Sequence, residues 1–292
     1  MKETALRFGS ERHLVGVLAE PEGGAPADRP ALLLFNQGFG QRVGPHRINV
    51  ELARHLAACG FASLRFDLSG LGDSGPRAFP PNEAERAVAD VVDAMDLLHR
   101  RRGIERFALL GMCSGVDVGH ASALADPRIV AAAFMDGYAY KTLGYHLWKL
   151  GQRLRRNSSW LPLLRGVRRL AARLRRQRAA SGAGGAGGEG FFERRYPTRE
   201  QFRDDVAALR GRGVRLFFIF SHGWWYFNHL GQFAEMLGER RLPQGIEVEY
   251  WTTADHMLTA VRERERLVRR ITQWLFACVP ARQPDSRRED AA

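Results

Sequence analysis

Cysteine is scarce in this 292-residue sequence, and long apolar runs are missing. The three cysteines, Cys59, Cys113 and Cys278, lie far apart, so the sequence predicts no disulfide framework and no CxxC metal pair. No run of about eighteen apolar residues occurs, which argues against a membrane-spanning helix. Residues 1–20 carry charges throughout, so we expect no secretory signal. These absences predict a cytoplasmic protein with reduced thiols.

Signatures of metal and nucleotide binding are missing as well. The sequence has no HExxH motif, and the adjacent pair Asp255-His256 does not have the spacing of metal ligands on a helix. The stretch from Asp67 to Ser74 contains two glycines but no GxGxxG pattern, and no Walker lysine follows it. We interpret that stretch as a structural turn, and we expect neither a metal nor a cofactor.

Positive charge is plentiful but confined to one segment. The formal net charge is +12, and Lys149 to Arg178 holds eleven basic residues and no acidic one, so the rest of the chain is at +1. Three interpretations stay open: a lid over a site in the main domain, an interfacial helix attracted to anionic lipid, or a solvated basic face over a packed stripe. No known nucleic-acid-binding module accompanies the charge, so we expect no nucleic acid as a partner.

Short apolar segments alternate with helical segments along most of the chain. Continuous apolar strands of this length are typical of a mostly parallel sheet that helices cover on both faces. The predicted strands are residues 4–8, 13–20, 31–35, 61–66, 107–110, 129–135, 214–220 and 246–252. Residues 1–138 and 198–279 form the predicted core, residues 139–197 a basic helical insertion with a glycine-rich end, and residues 280–292 a disordered tail.

A cysteine lies where one predicted strand turns into a helix. Gly111-Met112-Cys113-Ser114-Gly115 follows an apolar strand and precedes a helical segment, which is the pattern of a nucleophile elbow. Larger side chains in place of the two glycines would collide with the strained turn. A helix N-terminus behind Cys113 would lower the pKa of its thiol and favour the thiolate. The alternative is a small buried cysteine, but the strand-to-helix context favours the nucleophile.

Polar residues that follow other predicted strands should meet this cysteine at the carboxyl edge of the sheet. His256 follows the last strand and is the predicted general base. A carboxylate should orient its ring, but the first acidic residue after the seventh strand is Glu235. Asp136, which ends the sixth strand, is therefore the predicted acid, and a turn-capping aspartate is the alternative.

The remaining site predictions concern the oxyanion and the substrate. A glycine-rich loop, Asn36-Gln37-Gly38-Phe39-Gly40, follows the third strand, and the backbone N–H groups of Phe39 and Ser114 are the predicted oxyanion donors. Gln37 and Trp224 are the predicted substrate contacts. The aromatic run from Trp224 to Phe227 suggests an apolar or sugar-stacking pocket.

These motifs resemble those of the α/β-hydrolase superfamily, from about residue 4 to residue 278. The resemblance rests on Gln37-Gly38-Phe39, on Asp67 to Ser74, on Gly111 to Gly115 and on Asp255-His256. It implies the α/β-hydrolase fold, a helical lid in the place of the insertion, and the triad order nucleophile, acid, histidine. The cysteine elbow is similar to that of hydrolases linked to bacterial exopolysaccharide or exosortase systems, and to that of dienelactone hydrolase. Many members of the superfamily carry the acid after the seventh strand, where this sequence has none.

The resemblance implies a hydrolase of esters or thioesters with a cysteine nucleophile and a histidine base. Its expected substrate is a small-molecule ester, a thioester or an acylated glycan. One alternative is an acyltransferase to an alcohol acceptor in polysaccharide biosynthesis. Another is a non-catalytic hydrolase-like protein that docks on an anionic membrane or glycan through Lys149 to Arg178, which would add a peripheral membrane position to the cytoplasmic one.

Overall fold

The described part of the chain is organised around one mixed sheet. The computed structural model describes residues 1–38, 40–80, 82–156, 196–222, 224 and 226–279. The strands are β1 (Lys2–Phe8), β2 (Leu14–Glu20), β3 (Ala31–Leu34), β4 (Ser63–Phe66), β5 (Phe107–Met112), β6 (Ile129–Met135), β7 (Arg215–Ser221) and β8 (Ile246–Trp251). They lie in the order β1-β2-β4-β3-β5-β6-β7-β8. The pairs β1–β2 and β2–β4 are antiparallel, and the other pairs are parallel.

Helices cover both faces of this sheet because successive strand residues point to opposite faces. They are α1 (Ile48–Ala58), α2 (Glu83–Arg102), α3 (Gly115–Ala125), α4 (Leu143–Arg156), α5 (Arg199–Gly211), α6 (Gly231–Met236) and α7 (Val261–Ala277). Leu32 and Leu34 of β3 share a core with α1 and α7, whereas Leu33 shares one with α2, α3 and α5. Full burial of each leucine contributes about 1.5–3 kcal/mol, so an unbroken apolar strand stabilises two cores at once.

The register of the parallel strands aligns their carboxyl ends. Leu34 of β3 pairs with Leu110 of β5, and Met112 of β5 pairs with Met135 of β6. Met135 pairs in turn with Ile219 of β7. The residues that follow these four strands therefore lie side by side along one edge, where open α/β sheets place their ligand sites.

Capping residues set the ends of the helices around this frame. The side chain of Asn82 accepts a hydrogen bond from the Ala84 N–H at 2.9 Å and begins α2, and Gly103 ends that helix with a φ of 65°. Thr198 and Gln201 form a capping box at the start of α5. Both helices thus begin where side chains satisfy N–H groups that the first turn leaves without partners.

Three of the four leucines of helix α4 are exposed and point away from the core. Leu143, Leu147 and Leu154 are 58%, 52% and 44% exposed, whereas Tyr145 on the other side of the helix is buried. The side chain of Asn228 donates to the Tyr145 carbonyl at 3.1 Å and fastens the helix beside α6. No helix within the described ranges is long and apolar enough to cross a membrane.

The structure confirms the predicted mostly parallel sheet with helices on both faces, and it moves several predicted ends. The elbow strand continues two residues past the predicted end at Leu110, because Gly111 and Met112 still pair with β6. The strand predicted to begin at residue 61 begins at Ser63. The predicted insertion has a helix at α4, but its residues 157–195 lie outside the described residues, as does the tail 280–292. The division into core and insertion stays a prediction.

Candidate active site

Cys113 lies in a strained turn between β5 and α3. Its φ is 53°, a left-handed backbone conformation that is uncommon for residues other than glycine. A Cβ atom at Gly111 would lie 2.6 Å from the carbonyl oxygen of Gly115, and one at Gly115 would lie 2.9 Å from that of Asn36. Both positions therefore require glycine, which is the steric reason that the sequence pattern anticipated.

The structure brings Cys113, His256 and Asp136 together. His256 Nδ1 lies 2.8 Å from a carboxylate oxygen of Asp136, so that N–H donates to the carboxylate. Nε2 is then the ring nitrogen left for Cys113, with which His256 is hydrogen-bonded. The arrangement links a sulfur, an imidazole and a carboxylate in the order that a nucleophile, a base and an acid require.

Asp136 is fully buried, and its own backbone is left-handed with a φ of 51°. Ser221, the last residue of β7, donates to it twice: the backbone N–H and the hydroxyl each lie 2.7 Å from a carboxylate oxygen. With His256 these donors supply three hydrogen bonds, which offset the cost of burying the side chain. The alternative role of a turn cap does not account for the bond to His256.

The imidazole of His256 is strongly biased toward its charged form. The hydrogen bond that His256 donates to Asp136, and next the one with Cys113, raise the pKa of His256 from 6.5 to about 10, although burial opposes the change. These two bonds therefore favour the protonated ring. A positive ring beside the sulfur favours a Cys113 thiolate, which is the reactive form of cysteine.

The loop that carries His256 is held by its neighbours. Asp255 accepts the backbone N–H groups of Met257 at 2.9 Å and Thr259 at 3.1 Å, so it shapes the turn. The hydroxyl of Thr253 donates to Glu263 at 2.7 Å and fastens the loop to α7. Of the adjacent pair Asp255-His256, only the histidine therefore faces the candidate site.

A hydrogen bond joins the glycine-rich loop after β3 to the elbow. The Gly38 N–H donates to the hydroxyl of Ser114 at 2.6 Å. Ser114 stands at the N-terminus of α3, directly behind Cys113. Phe39, the predicted loop donor to an oxyanion, lies outside the described residues. The contact between Gly38 and Ser114 holds the loop over the elbow, and the roles of Phe39 and Ser114 as oxyanion donors stay predictions.

A buried polar network supports the same loop from below. Asn36 donates to the Gly40 carbonyl at 2.6 Å and to Asp67 at 2.9 Å. Asp67 is fully buried and also accepts the Arg42 N–H at 2.6 Å, and the Arg42 guanidinium forms an ion pair with it. Asp67 thus accepts backbone N–H bonds, and it fixes both ends of the loop that faces Cys113.

The cavity at Cys113 is small and has few charged groups. Its volume is about 280 Å³, and it is lined by Gln37, Gly38, Gly40, Gln41, Gly44, Pro45, Cys113, His256 and Met257. A larger cavity of about 620 Å³ lies at the opposite end of the strands, beside Arg106, Arg128 and Arg212. We assign the site to the smaller cavity because the strained cysteine and the paired histidine open into it.

The two predicted substrate contacts lie in different places. Gln37 lines the cavity beside Cys113. Trp224 instead stacks on His256, with ring centroids 5.3 Å apart and planes inclined by 20°. Substrate binding by either residue stays a prediction, and for Trp224 the face that touches His256 is already occupied.

Two residues of the site had no role assigned to them in the sequence predictions. Ser221 holds Asp136, and Asn36 holds the loop and Asp67. Each is a polar residue at the end of a buried apolar strand, which is the signal that identified Asp136. Among the residues for which coordinates are described, no group of three or more His, Cys, Asp or Glu side chains could hold a metal ion.

The fold and the site together define a class of protein. A mostly parallel eight-stranded sheet, a strained residue after β5 and a histidine after β8 are the features of an α/β hydrolase. The family model described as alpha/beta hydrolase fold matches residues 30–200, which is more than half of the chain. The chain belongs to this family. No curated protein matches the sequence.

Solved structures share the fold at low sequence identity. An esterase from Pyrococcus furiosus is 14% identical with a TM-score of 0.57, and the match covers 96% of this chain and 92% of that one. The esterase domain of a Rhodothermus marinus protein is 18% identical with a TM-score of 0.55, covering 94% and 97%. A serine hydrolase from Xanthomonas campestris, described as having no lid, is 12% identical with a TM-score of 0.56, covering 97% and 98%. Such identities establish the fold alone, and the helical lid stays a prediction.

Proposed function

We propose that the protein is an esterase-like hydrolase of ester or thioester bonds with Cys113 as its nucleophile. Membership of the hydrolase family and the esterases among its structural neighbours support this class of enzyme. One observation carries the assignment of the nucleophile. Cys113 occupies the strained turn and is hydrogen-bonded to His256, whose other nitrogen is held by the buried Asp136. An activated nucleophile needs this sequence of contacts.

In the first half of the proposed reaction, the Cys113 thiolate attacks the substrate carbonyl carbon. A carbon–sulfur bond forms, and the carbonyl electron pair moves onto oxygen. The backbone N–H groups of Phe39 and Ser114 would stabilise that oxyanion. When the carbonyl re-forms, the bond to the leaving alcohol or thiol breaks, and the leaving group takes the proton of the His256 imidazolium. The acyl group is then a thioester on Cys113.

In the second half, neutral His256 accepts a proton from water. The resulting hydroxide attacks the acyl-enzyme, the carbon–sulfur bond breaks, and the carboxylic acid leaves while Cys113 returns as a thiolate. Asp136 keeps the His256 ring aligned in both halves and stabilises its positive charge. An alcohol that replaces water in this step would receive the acyl group, so acyl transfer to an alcohol, including a glycan hydroxyl, is the alternative reaction.

Turnover tests this proposal directly. Short p-nitrophenyl esters and acyl-thioesters are offered to the wild type and to Cys113→Ala, with and without an alcohol acceptor. We expect hydrolysis by the wild type and a loss of at least about 10³-fold in the variant, because a covalent nucleophile has no substitute in the site. Equal rates in the two proteins would rule out Cys113, and acylated alcohol among the products would favour transfer over hydrolysis.

A second candidate function is docking on an anionic membrane surface, with or without catalysis. The exposed leucines of α4 support it, because a helix of Leu143–Arg156 with its apolar side outward and no acidic residue has the pattern of an interfacial helix. The segment Lys149 to Arg178 adds charge complementary to acidic lipid headgroups. Such docking would give the protein a peripheral membrane position.

Sedimentation with lipid vesicles tests the docking. The protein should pellet with vesicles that contain phosphatidylglycerol, be released at high salt, and stay in solution with phosphatidylcholine alone. The triple variant Leu143→Ser, Leu147→Ser, Leu154→Ser should bind less, whereas Leu6→Ser on β1 is a control away from α4. Salt-insensitive binding, or full binding by the triple variant, would contradict the proposal.

A further inference from the structure

The indole of Trp224 covers one face of the His256 ring. The ring centroids are 5.3 Å apart and the planes differ by 20°, so the two rings are stacked. Trp224 follows β7, whereas His256 follows β8, and the contact therefore bridges two strand ends. The indole N–H of Trp224 is buried and has no hydrogen-bond partner among the described residues. The ring is thus held in place by packing on the imidazole and not by a bond to its own polar group.

His256 is contacted at its two ring nitrogens by Asp136 and Cys113, and on one face of its ring by Trp224. Asp136 holds one nitrogen of the ring at 2.8 Å, and the other nitrogen faces Cys113. The nitrogens of an imidazole form hydrogen bonds along directions in the ring plane, so neither bond prevents the ring from tilting about the axis that joins the two nitrogens. A stacked indole opposes that tilt, because it would separate the two rings.

We propose that Trp224 is a positioning residue for His256, which holds the imidazole plane between Cys113 and Asp136 and favours its protonated form. This inference rests on the proposed function. The face of an indole is negative and attracts a cation that lies over it, and the attraction grows where water is displaced. Trp224 would therefore stabilise the imidazolium and, through it, the Cys113 thiolate.

Several titratable groups lie around His256. Within the described ranges, Asp136 and Cys113 are the ones hydrogen-bonded to its ring. Tyr250 of β8 lies near Asp136, and burial, then the charge of Asp136, raise the pKa of its phenol, so it stays neutral. His222 is paired with the Tyr250 hydroxyl at 3.3 Å. Trp224 thus supplies the aromatic face, and the carboxylate supplies the charge.

The positioning role differs in its consequences from the substrate contact that the sequence suggests. A substrate contact would alter KM and leave the ionisation of Cys113 unchanged. A positioning residue alters kcat and the pH dependence, because it acts through His256. Trp224→Leu removes the aromatic face, and Trp224→Phe keeps one.

The experiment follows alkylation of Cys113 by iodoacetamide from pH 4 to 10, together with kcat and KM for an acyl-thioester. For the wild type we expect a half-maximal rate well below the pH of about 8.5 at which a free cysteine titrates. In Trp224→Leu that midpoint should rise by about 0.5–1 pH unit and kcat should fall several-fold while KM stays within about twofold. Trp224→Phe should restore most of the wild-type profile. Thermal melting confirms that each variant is folded, and Trp224→Met replaces the leucine variant if that one is not.

The inference is overturned by any of the following results. A raised KM with an unchanged pH profile would make Trp224 a substrate contact. Equal shifts in the leucine and phenylalanine variants would assign the effect to packing volume, and no change in either would remove Trp224 from the site. If the wild-type Cys113 itself titrates as a free cysteine and turns over nothing, the proposed function has failed, and the inference fails with it. If the wild type turns over substrate and Trp224→Leu leaves the midpoint of the alkylation profile unchanged, the role of Trp224 alone is refuted.

Discussion

Replacing Asp136 with asparagine isolates the carboxylate that follows β6. Asparagine has nearly the same shape, and its carbonyl can still accept from Ser221. It removes the negative charge that lies 2.8 Å from His256 Nδ1. The change therefore alters the electrostatics of the histidine while leaving the packing of a fully buried position almost intact.

The size of the effect follows from the pKa of His256. Asp136 and then Cys113 raise it from 6.5 to about 10. If Asp136 accounts for about half of that rise, its loss lowers the pKa by about 2 pH units, or about 2–3 kcal/mol of imidazolium stabilisation. The His256 side chain is 32% exposed, so solvent screening favours the lower value. We expect kcat/KM to fall by about 10²-fold. A serine triad loses about 10⁴-fold, because its nucleophile is not already ionised.

Glu235 provides the matched control for Asp136→Asn. It is the first acidic residue after β7, but it accepts the Gly144 N–H at 3.0 Å and lies 3.4 Å from His229, away from Cys113. The assay is kcat/KM for an acyl-thioester, with the pH dependence of Cys113 alkylation beside it. Glu235→Gln should match the wild type. A loss below threefold in Asp136→Asn, or a comparable loss in Glu235→Gln, would refute the assignment of the acid.

Three further predictions concern stability. Gly111→Ala should lower the urea midpoint by an amount equivalent to about 3 kcal/mol or more, because its Cβ would lie 2.6 Å from a backbone oxygen, whereas Gly211→Ala has open space and should be neutral or slightly stabilising. The pKa of His256 is raised on folding, so the protonated ring stabilises the folded protein fully below pH 6.5, and this stabilisation is lost as the pH rises through about 10. The difference in melting temperature between the wild type and His256→Gln should therefore shrink over that interval. Asp90→Ala should destabilise by about 3–5 kcal/mol, since this buried carboxylate accepts Ser69 and Arg77, yet folded protein should retain Cys113 alkylation; unchanged melting would contradict the prediction.

Most of the fold could be predicted from the sequence because its apolar runs are unambiguous. A continuous run such as Ile129–Met135 is buried on both faces, and its predicted bounds are those of β6. Ends were less predictable where a glycine or a polar residue still pairs in the sheet. Gly111 extends β5 for this reason, and Ser221 ends β7 although it is polar.

The candidate site was predictable where a backbone constraint marks the residue. The glycines around Cys113 report a strained turn that few other sequences permit. Asp136 could be named because it is a lone acid at the end of a buried strand. The two hydrogen bonds that Asp136 accepts from Ser221 could not be predicted, since they depend on which strands are neighbours and on their register.

Sequence patterns could not predict the stacking of Trp224 on His256. Trp224 belongs to a run of aromatic residues, and such a run indicates apolar surface without saying what it covers. Its stacking on His256 depends on how the loops after β7 and β8 fold back on the sheet edge. The outward leucines of α4 are a similar case, because helical spacing identifies an apolar stripe and not the direction in which it points.

The most direct test of the central claim is the identity of the acylated residue. The protein is mixed with an activated p-nitrophenyl ester, quenched in acid within the first turnover, digested and analysed by mass spectrometry, with Cys113→Ala and Ser114→Ala treated in parallel. We predict one added acyl group on Cys113 in the wild type and in Ser114→Ala, and none in Cys113→Ala. An acyl group on Ser114, or equal labelling of Cys113→Ala, would contradict the account.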